Sequence, residues 1–97
     1  MKKLKMYVIY DTMTETIITC FGADSEERAE QNTVRLMKSY GVSDDTPLSG
    51  VELGLISSGF IGDDCSILMP TKFSELSNDF NLIKIRDVRE VLDSFKG

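Results

Sequence analysis

The chain has 97 residues, 41% of them hydrophobic, and a formal net charge of −5. This length and composition predict one globular domain, residues 1–97, and exclude a disordered chain. No apolar run is long enough to span a bilayer, so no membrane association is expected. The acidic balance opposes binding to nucleic acid, because affinity for phosphate depends on Lys and Arg, although a local basic face can exist on an acidic protein.

The first 40 residues predict a strand-strand-helix unit. Residues 5–11 and 16–22 are rich in β-branched and aromatic side chains and flank a polar tetrapeptide, which is typical of a hairpin. A helix is predicted over residues 25–40, with Asp24 as its N-cap, Glu27 completing a capping box and Gly41 ending it. Its apolar stripe consists of Ala29, Thr33, Leu36, Met37 and Tyr40.

The second half predicts further strands and a last helix. Residues 42–50 have loop composition, and residues 51–57 form a strand in which Gly54 indicates a bulge or a close backbone approach. A return strand over 65–69 ends at Pro70. Residues 72–81 are ambiguous and fit one short helical turn, and residues 80–85 fit a fifth strand. Asp87 then caps a helix with Ile85, Val88, Leu92 and Phe95 on one face.

These elements predict an α+β fold. Its small antiparallel sheet has four or five strands in the order ββαββ, followed by βα, with one helix packed on a face and a second helix at the C-terminal end. Exposed edges in so small a sheet favour self-association, so a homodimer is expected.

The residues that usually carry catalysis or bind metals are scarce. The chain has no histidine, no glycine-rich phosphate-binding loop and no cysteines at zinc spacing. Asp44-Asp45 and Asp63-Asp64 are typical of solvated turns and do not match calcium-loop spacing. We therefore expect no cofactor, no metal, no catalytic residue and no enzymatic activity. Cys20 and Cys65 are expected to be buried free thiols, with a disulfide between them as the alternative.

Two groups of residues suit nucleic-acid binding. Lys2, Lys3 and Lys5 lead into Tyr7 and Tyr10, and cations that feed an aromatic strand are typical of single-strand binding platforms. The two tyrosines have opposite parity on a strand, so at most one of them can serve the platform. The alternative is that the tyrosines are core residues and the lysines a solubilising terminus.

The second group lies on the predicted helix, on a stripe distinct from the apolar one. Its members are Arg28, Gln31, Asn32, Arg35 and Lys38. This stripe could meet phosphates and bases. The alternative is an ordinary solvated face supported by pairs with Glu27 and Glu30.

The opening of the chain resembles the small non-structural protein of gokushovirus-type microviruses, which are phages with single-stranded DNA genomes. The resemblance rests on residues 7–11 (Tyr-Val-Ile-Tyr-Asp), Glu15, Phe21 and the triplet Val34-Arg35-Leu36. It extends more loosely to Val51–Gly59, Asp63-Asp64 and Ile67-Leu68, and covers about residues 6–69.

The resemblance implies a non-catalytic protein that binds single-stranded DNA in phage genome replication or packaging, in the cytoplasm of the bacterial host. The DNA-contacting residues expected are Lys2, Lys3, Lys5, Tyr7, Tyr10, Arg28, Arg35 and Lys38. The alternative function is a protein-interaction or assembly accessory that binds capsid, replication or host proteins and not DNA. The acidic balance favours that alternative, since an acidic surface suits basic partners.

Overall fold

The structure is a computed structural model that describes residues 4–61 and 70–95. Within them the chain forms four strands and three helices. In chain order they are β1 (Leu4–Asp11), β2 (Thr16–Ala23), α1 (Glu26–Ser39), β3 (Val51–Ile61), α2 (Phe73–Asn78), β4 (Leu82–Asp87) and α3 (Val88–Ser94). The predicted return strand over 65–69 lies outside the described residues.

The four strands form one antiparallel sheet in the order β2-β1-β3-β4. The predicted α+β architecture is confirmed, with the fifth predicted strand observed as β4. In the turn between β1 and β2, Asp11 Oδ1 accepts a hydrogen bond from the Met13 amide at 2.8 Å. Glu15 completes this turn with a left-handed φ of 53°.

Both faces of the sheet are covered. One face packs against α1 and α3, and the other packs against α2 and the segment that follows it. The short helical turn that the sequence suggested within residues 72–81 is observed as α2, but the sequence did not assign it to a face of the sheet. In the structure, Leu76 of α2 packs among Met6, Val8, Tyr10 and Ile56, and so forms a second core.

The two ends of α1 follow local capping rules. The N-cap is Ser25 rather than the predicted Asp24, because the Ser25 hydroxyl accepts a hydrogen bond from the Arg28 amide at 3.2 Å. The predicted end at Gly41 is confirmed, since Gly41 adopts a φ of 81°. The Gly41 amide donates to the Lys38 carbonyl and the Val42 amide to the Met37 carbonyl, which is the Schellman arrangement.

Gly54 combines the two features that its position predicted. The pairing of β3 with β4 shifts register between Leu53 and Gly54. A Cβ atom on Gly54 would lie 2.6 Å from Leu82 Cδ1 and 3.1 Å from the Tyr10 ring. The missing side chain therefore makes room for both neighbours.

Two arginines connect the last helix to the rest of the fold. Arg86 Nη1 lies 2.9 Å from Glu30 Oε1 of α1 and also donates to Ser94 Oγ at the end of α3. Arg89 donates to the Thr46 carbonyl in the loop before β3. Asp87 occupies the N-cap position of α3, but its side chain makes no cap hydrogen bond and pairs with Lys84 at 2.9 Å.

No helix in the described residues is long and apolar enough to cross a membrane.

We predict that Gly41→Ala destabilises the protein by about 1 kcal/mol, the typical cost of forcing an L-residue into the left-handed region. An added Cβ would meet nothing within 4 Å, so this cost comes from the backbone conformation alone. Gly41→Asn should cost less, because asparagine tolerates this conformation. Urea denaturation of the three proteins measures the effect. Equal losses for alanine and asparagine would contradict the backbone explanation.

Candidate nucleic-acid interface

Neither Tyr7 nor Tyr10 faces solvent, so the alternative that both are core residues is confirmed and their expected stacking on DNA bases is wrong. Each side chain is only 2% exposed. Tyr7 lies on the face covered by α1 and α3, where its ring stacks against Phe21 at 6.0 Å between ring centroids. Tyr10 lies on the opposite face, against Phe73 at 6.1 Å. Opposite parity sends the rings to opposite faces, and because each face has its own cover, neither ring can stack on a base.

A polar network at the end of the sheet offsets the cost of burying the Tyr10 hydroxyl. Its hydroxyl donates to Glu52 Oε1 at 2.8 Å. Glu52 Oε2 lies 3.4 Å from Lys84 Nζ, which also pairs with Asp87. The hydrogen bond satisfies a hydroxyl that would otherwise be costly to bury.

Burial raises the pKa of both tyrosines. For Tyr10, loss of hydration is the largest cause, followed by the hydrogen bond to Glu52. For Tyr7, loss of hydration again leads, and the negative charges of Glu26 and Asp24 add to it. Both hydroxyls are therefore held in the neutral form.

Only one of the three N-terminal lysines, Lys5, lies within the described residues. Lys2 and Lys3 lie outside them. Lys5 is exposed on β1 and pairs with Ala23, three residues before α1 begins. Lys5 therefore lies at the end of the sheet where α1 starts.

The cations of α1 share one exposed face. Arg28, Gln31, Arg35 and Lys38 are exposed, and Asn32 is half-buried. These positions lie opposite Ala29, Thr33 and Met37, which face the core. We call Arg28, Gln31, Arg35 and Lys38 the outer face of α1.

The outer face of α1 keeps its positive charge. The ion pairs found among residues 4–61 and 70–95 involve only Lys84 and Arg86 as cations. Glu30 does not form the predicted pair with a cation of this face, because its carboxylate pairs with Arg86 at 2.9 Å. The three cations of the outer face are therefore available to an external anion.

The charge on this face is uneven along the helix. Asp24, Glu26 and Glu27 are all exposed around the first turn, beside Arg28. Arg35 and Lys38 belong to the last two turns, away from these acids. The acids of the first turn therefore oppose phosphate binding most at Arg28 and less at the C-terminal half of the outer face.

Sequence reasoning missed the exposed aromatic residues near that half. Tyr40 is 55% exposed and Phe95 is 43% exposed, although both were placed on apolar stripes. Each is the C-cap of its helix, where the chain leaves the packed face. Phe95 and Lys38 both line a groove of about 290 Å³ between α1 and α3, whose lining also includes Val34, Met37 and Leu92.

A second cavity, of about 410 Å³, lies beside the loop that precedes β3 and is lined in part by Glu52, Asp87 and Arg89. Glu52 and Asp87 already share Lys84. Within the part of the chain that the structure describes, no three His, Cys, Asp or Glu residues are grouped closely enough to hold a metal ion.

Cys20 is half-buried, and its burial raises the pKa of its thiol. Cys65 lies outside the described residues, so its pairing stays a prediction.

Comparison of the chain with protein-family models, curated proteins and solved structures finds no match.

We predict that Tyr10→Phe lowers the free energy of unfolding by about 1 kcal/mol at neutral pH, because it removes the hydrogen bond to Glu52. A raised pKa in the folded state gives stability that is complete below the unfolded-state value of 10.0 and is lost as pH rises above it. The wild type should therefore lose stability more steeply than Tyr10→Phe from about pH 9 to about pH 11. Denaturant unfolding across this range measures both slopes, and parallel slopes would contradict the assignment.

Proposed function

We propose that the protein is a non-catalytic single-stranded DNA-binding protein that contacts DNA through the outer face of α1. The observation that carries the proposal is the exposure of Arg28, Arg35 and Lys38 on one helix face without an ion-pair partner among the described residues. The resemblance of the opening residues to a microvirus protein adds a context, in which this binding serves replication or packaging of a phage genome in a bacterial host.

The chemistry of such binding follows from the side chains available. Arginine presents a planar fork of donors to phosphate oxygens, and lysine presents a compact charge. Gln31 lies between Arg28 and Arg35 and can donate a hydrogen bond to a phosphate or a base edge. Because Tyr7 and Tyr10 are buried, they supply no stacking. Binding should therefore depend strongly on salt and little on base sequence.

A second candidate function is a protein-interaction or assembly accessory. The exposed acids around the start of α1, Asp24, Glu26 and Glu27, favour it together with the net charge of −5. An acidic surface of this kind attracts basic segments of other proteins and repels nucleic acid. Retention of protein partners after nuclease treatment, in a pull-down that recovers no DNA, would favour this second candidate.

We predict that Arg35→Gln weakens binding to a labelled single-stranded oligonucleotide. If Arg35 meets one phosphate, the slope of log affinity against log salt should become shallower by about 0.7. Replacing Arg28 as well should make it shallower by about 1.4 in total. Fluorescence anisotropy across a salt series measures both quantities.

The matched control is Lys72→Gln. Lys72 is an exposed cation at the start of α2, which covers the opposite face of the sheet. Its replacement changes the net charge by the same amount and should leave the slope unchanged. Equal effects of the two substitutions would show a response to net charge alone, and absence of binding to DNA at low salt would overturn the proposal.

A further inference from the structure

One outer edge of the sheet is strand β2. It pairs with β1 on one side, and no strand among residues 4–61 and 70–95 lies on its other side. An edge strand presents a row of backbone N–H and C=O groups that can pair with another strand. The outer side of β2 therefore offers hydrogen-bonding groups to a partner.

The composition of β2 lacks the usual protection of such an edge. Its eight residues, Thr-Ile-Ile-Thr-Cys-Phe-Gly-Ala, include no charged residue and no proline. The opposite edge, β4, carries Lys84, Arg86 and Asp87 within six residues. Charged side chains on an edge oppose pairing with a further strand, so β4 is protected by charge and β2 is not.

A bulge limits the usable length of this edge. Ile9 pairs with Thr19 and Tyr10 pairs with Ile17, which leaves Ile18 as the extra residue. Bulges of this kind interrupt pairing and twist an edge. Residues 19–23, beyond the bulge, keep a regular register with β1 and form the continuous part of the edge.

We propose that residues 19–23 of β2 pair antiparallel with the same residues of a second copy of this chain. The net charge of −5 makes two copies repel at most orientations, and an uncharged strand is a surface where they can approach without facing like charges. Antiparallel pairing of identical strands has two-fold symmetry, so it closes at two copies. The product is a continuous sheet of eight strands with the two β2 strands at its centre.

This arrangement has a consequence for the proposed DNA contact, and only this consequence rests on the proposed function. The two-fold axis of an antiparallel strand pair is perpendicular to the sheet, so the α1 helices of both copies lie on the same face. Since α1 packs against β2, the two helices lie toward the centre of the dimer. The dimer would present two outer faces of α1 to one DNA strand, which raises affinity through multivalency.

The deciding variant is Ile18→Glu, which places a charge beside the paired segment at a side chain that is 39% exposed. Pairing of residues 19–23 with themselves places position 18 opposite Asp24 of the second copy, so each glutamate would face a like charge and the dimer dissociation constant should rise at least about tenfold. Ile83→Glu is the matched control, because Ile83 is a 52% exposed isoleucine on the opposite edge strand. It should leave the dissociation constant unchanged. Sedimentation across a series of protein concentrations measures all three proteins.

A second measurement uses the unmodified protein and does not depend on either variant folding. Amide hydrogen exchange over residues 19–23 should slow as the protein concentration rises, while exchange in β4 should not change. A monomer at every concentration would overturn the proposal, as would equal dissociation constants for the two glutamate variants. The outcome is independent of DNA binding, which the salt series with Arg35→Gln tests separately.

Discussion

The burial of β1 on both faces is the constraint on which the rest of the structure depends. Five successive residues, Met6 to Tyr10, are each at most 2% exposed. Alternate side chains of a strand point to opposite faces, so such a run requires cover on both sides of the sheet. The helices α1 and α3 supply one cover, and the short α2 supplies the other. The Tyr10 hydroxyl needs a partner within this arrangement, and Glu52 provides it.

Local signals predicted much of the fold. The hairpin, α1 and its end at Gly41 follow from short-range chemistry, and Gly54 marked a bulge and a close approach that the structure contains. The choice between Asp24 and Ser25 as N-cap could not be made from residue type, since both are good caps and only backbone geometry separates them. The placement of α2 on the second face of the sheet depends on packing against side chains distant in sequence, which the helical turn predicted within residues 72–81 did not specify.

The candidate site was harder to predict than the fold. Helical spacing correctly placed Arg28, Arg35 and Lys38 on one exposed face, because periodicity determines which residues share a side. The tyrosine prediction failed because it assumed one open face of the sheet. The apolar run Met-Tyr-Val-Ile-Tyr, without polar alternation, was the available sign that β1 is covered on both faces. The pairing of Glu30 was also not local, since its carboxylate pairs with an arginine 56 residues away rather than within its helix.

The most direct test of this account is the accessibility of its three tyrosines. Treatment of the folded protein with a tyrosine-nitrating reagent, followed by peptide mass spectrometry, reports which rings meet solvent. Tyr40, which is 55% exposed, should be modified, while Tyr7 and Tyr10 should be protected until the protein is unfolded in denaturant. Rapid modification of Tyr7 or Tyr10 in the folded state would contradict a sheet covered on both faces, and would restore an aromatic surface on β1 to which DNA could bind.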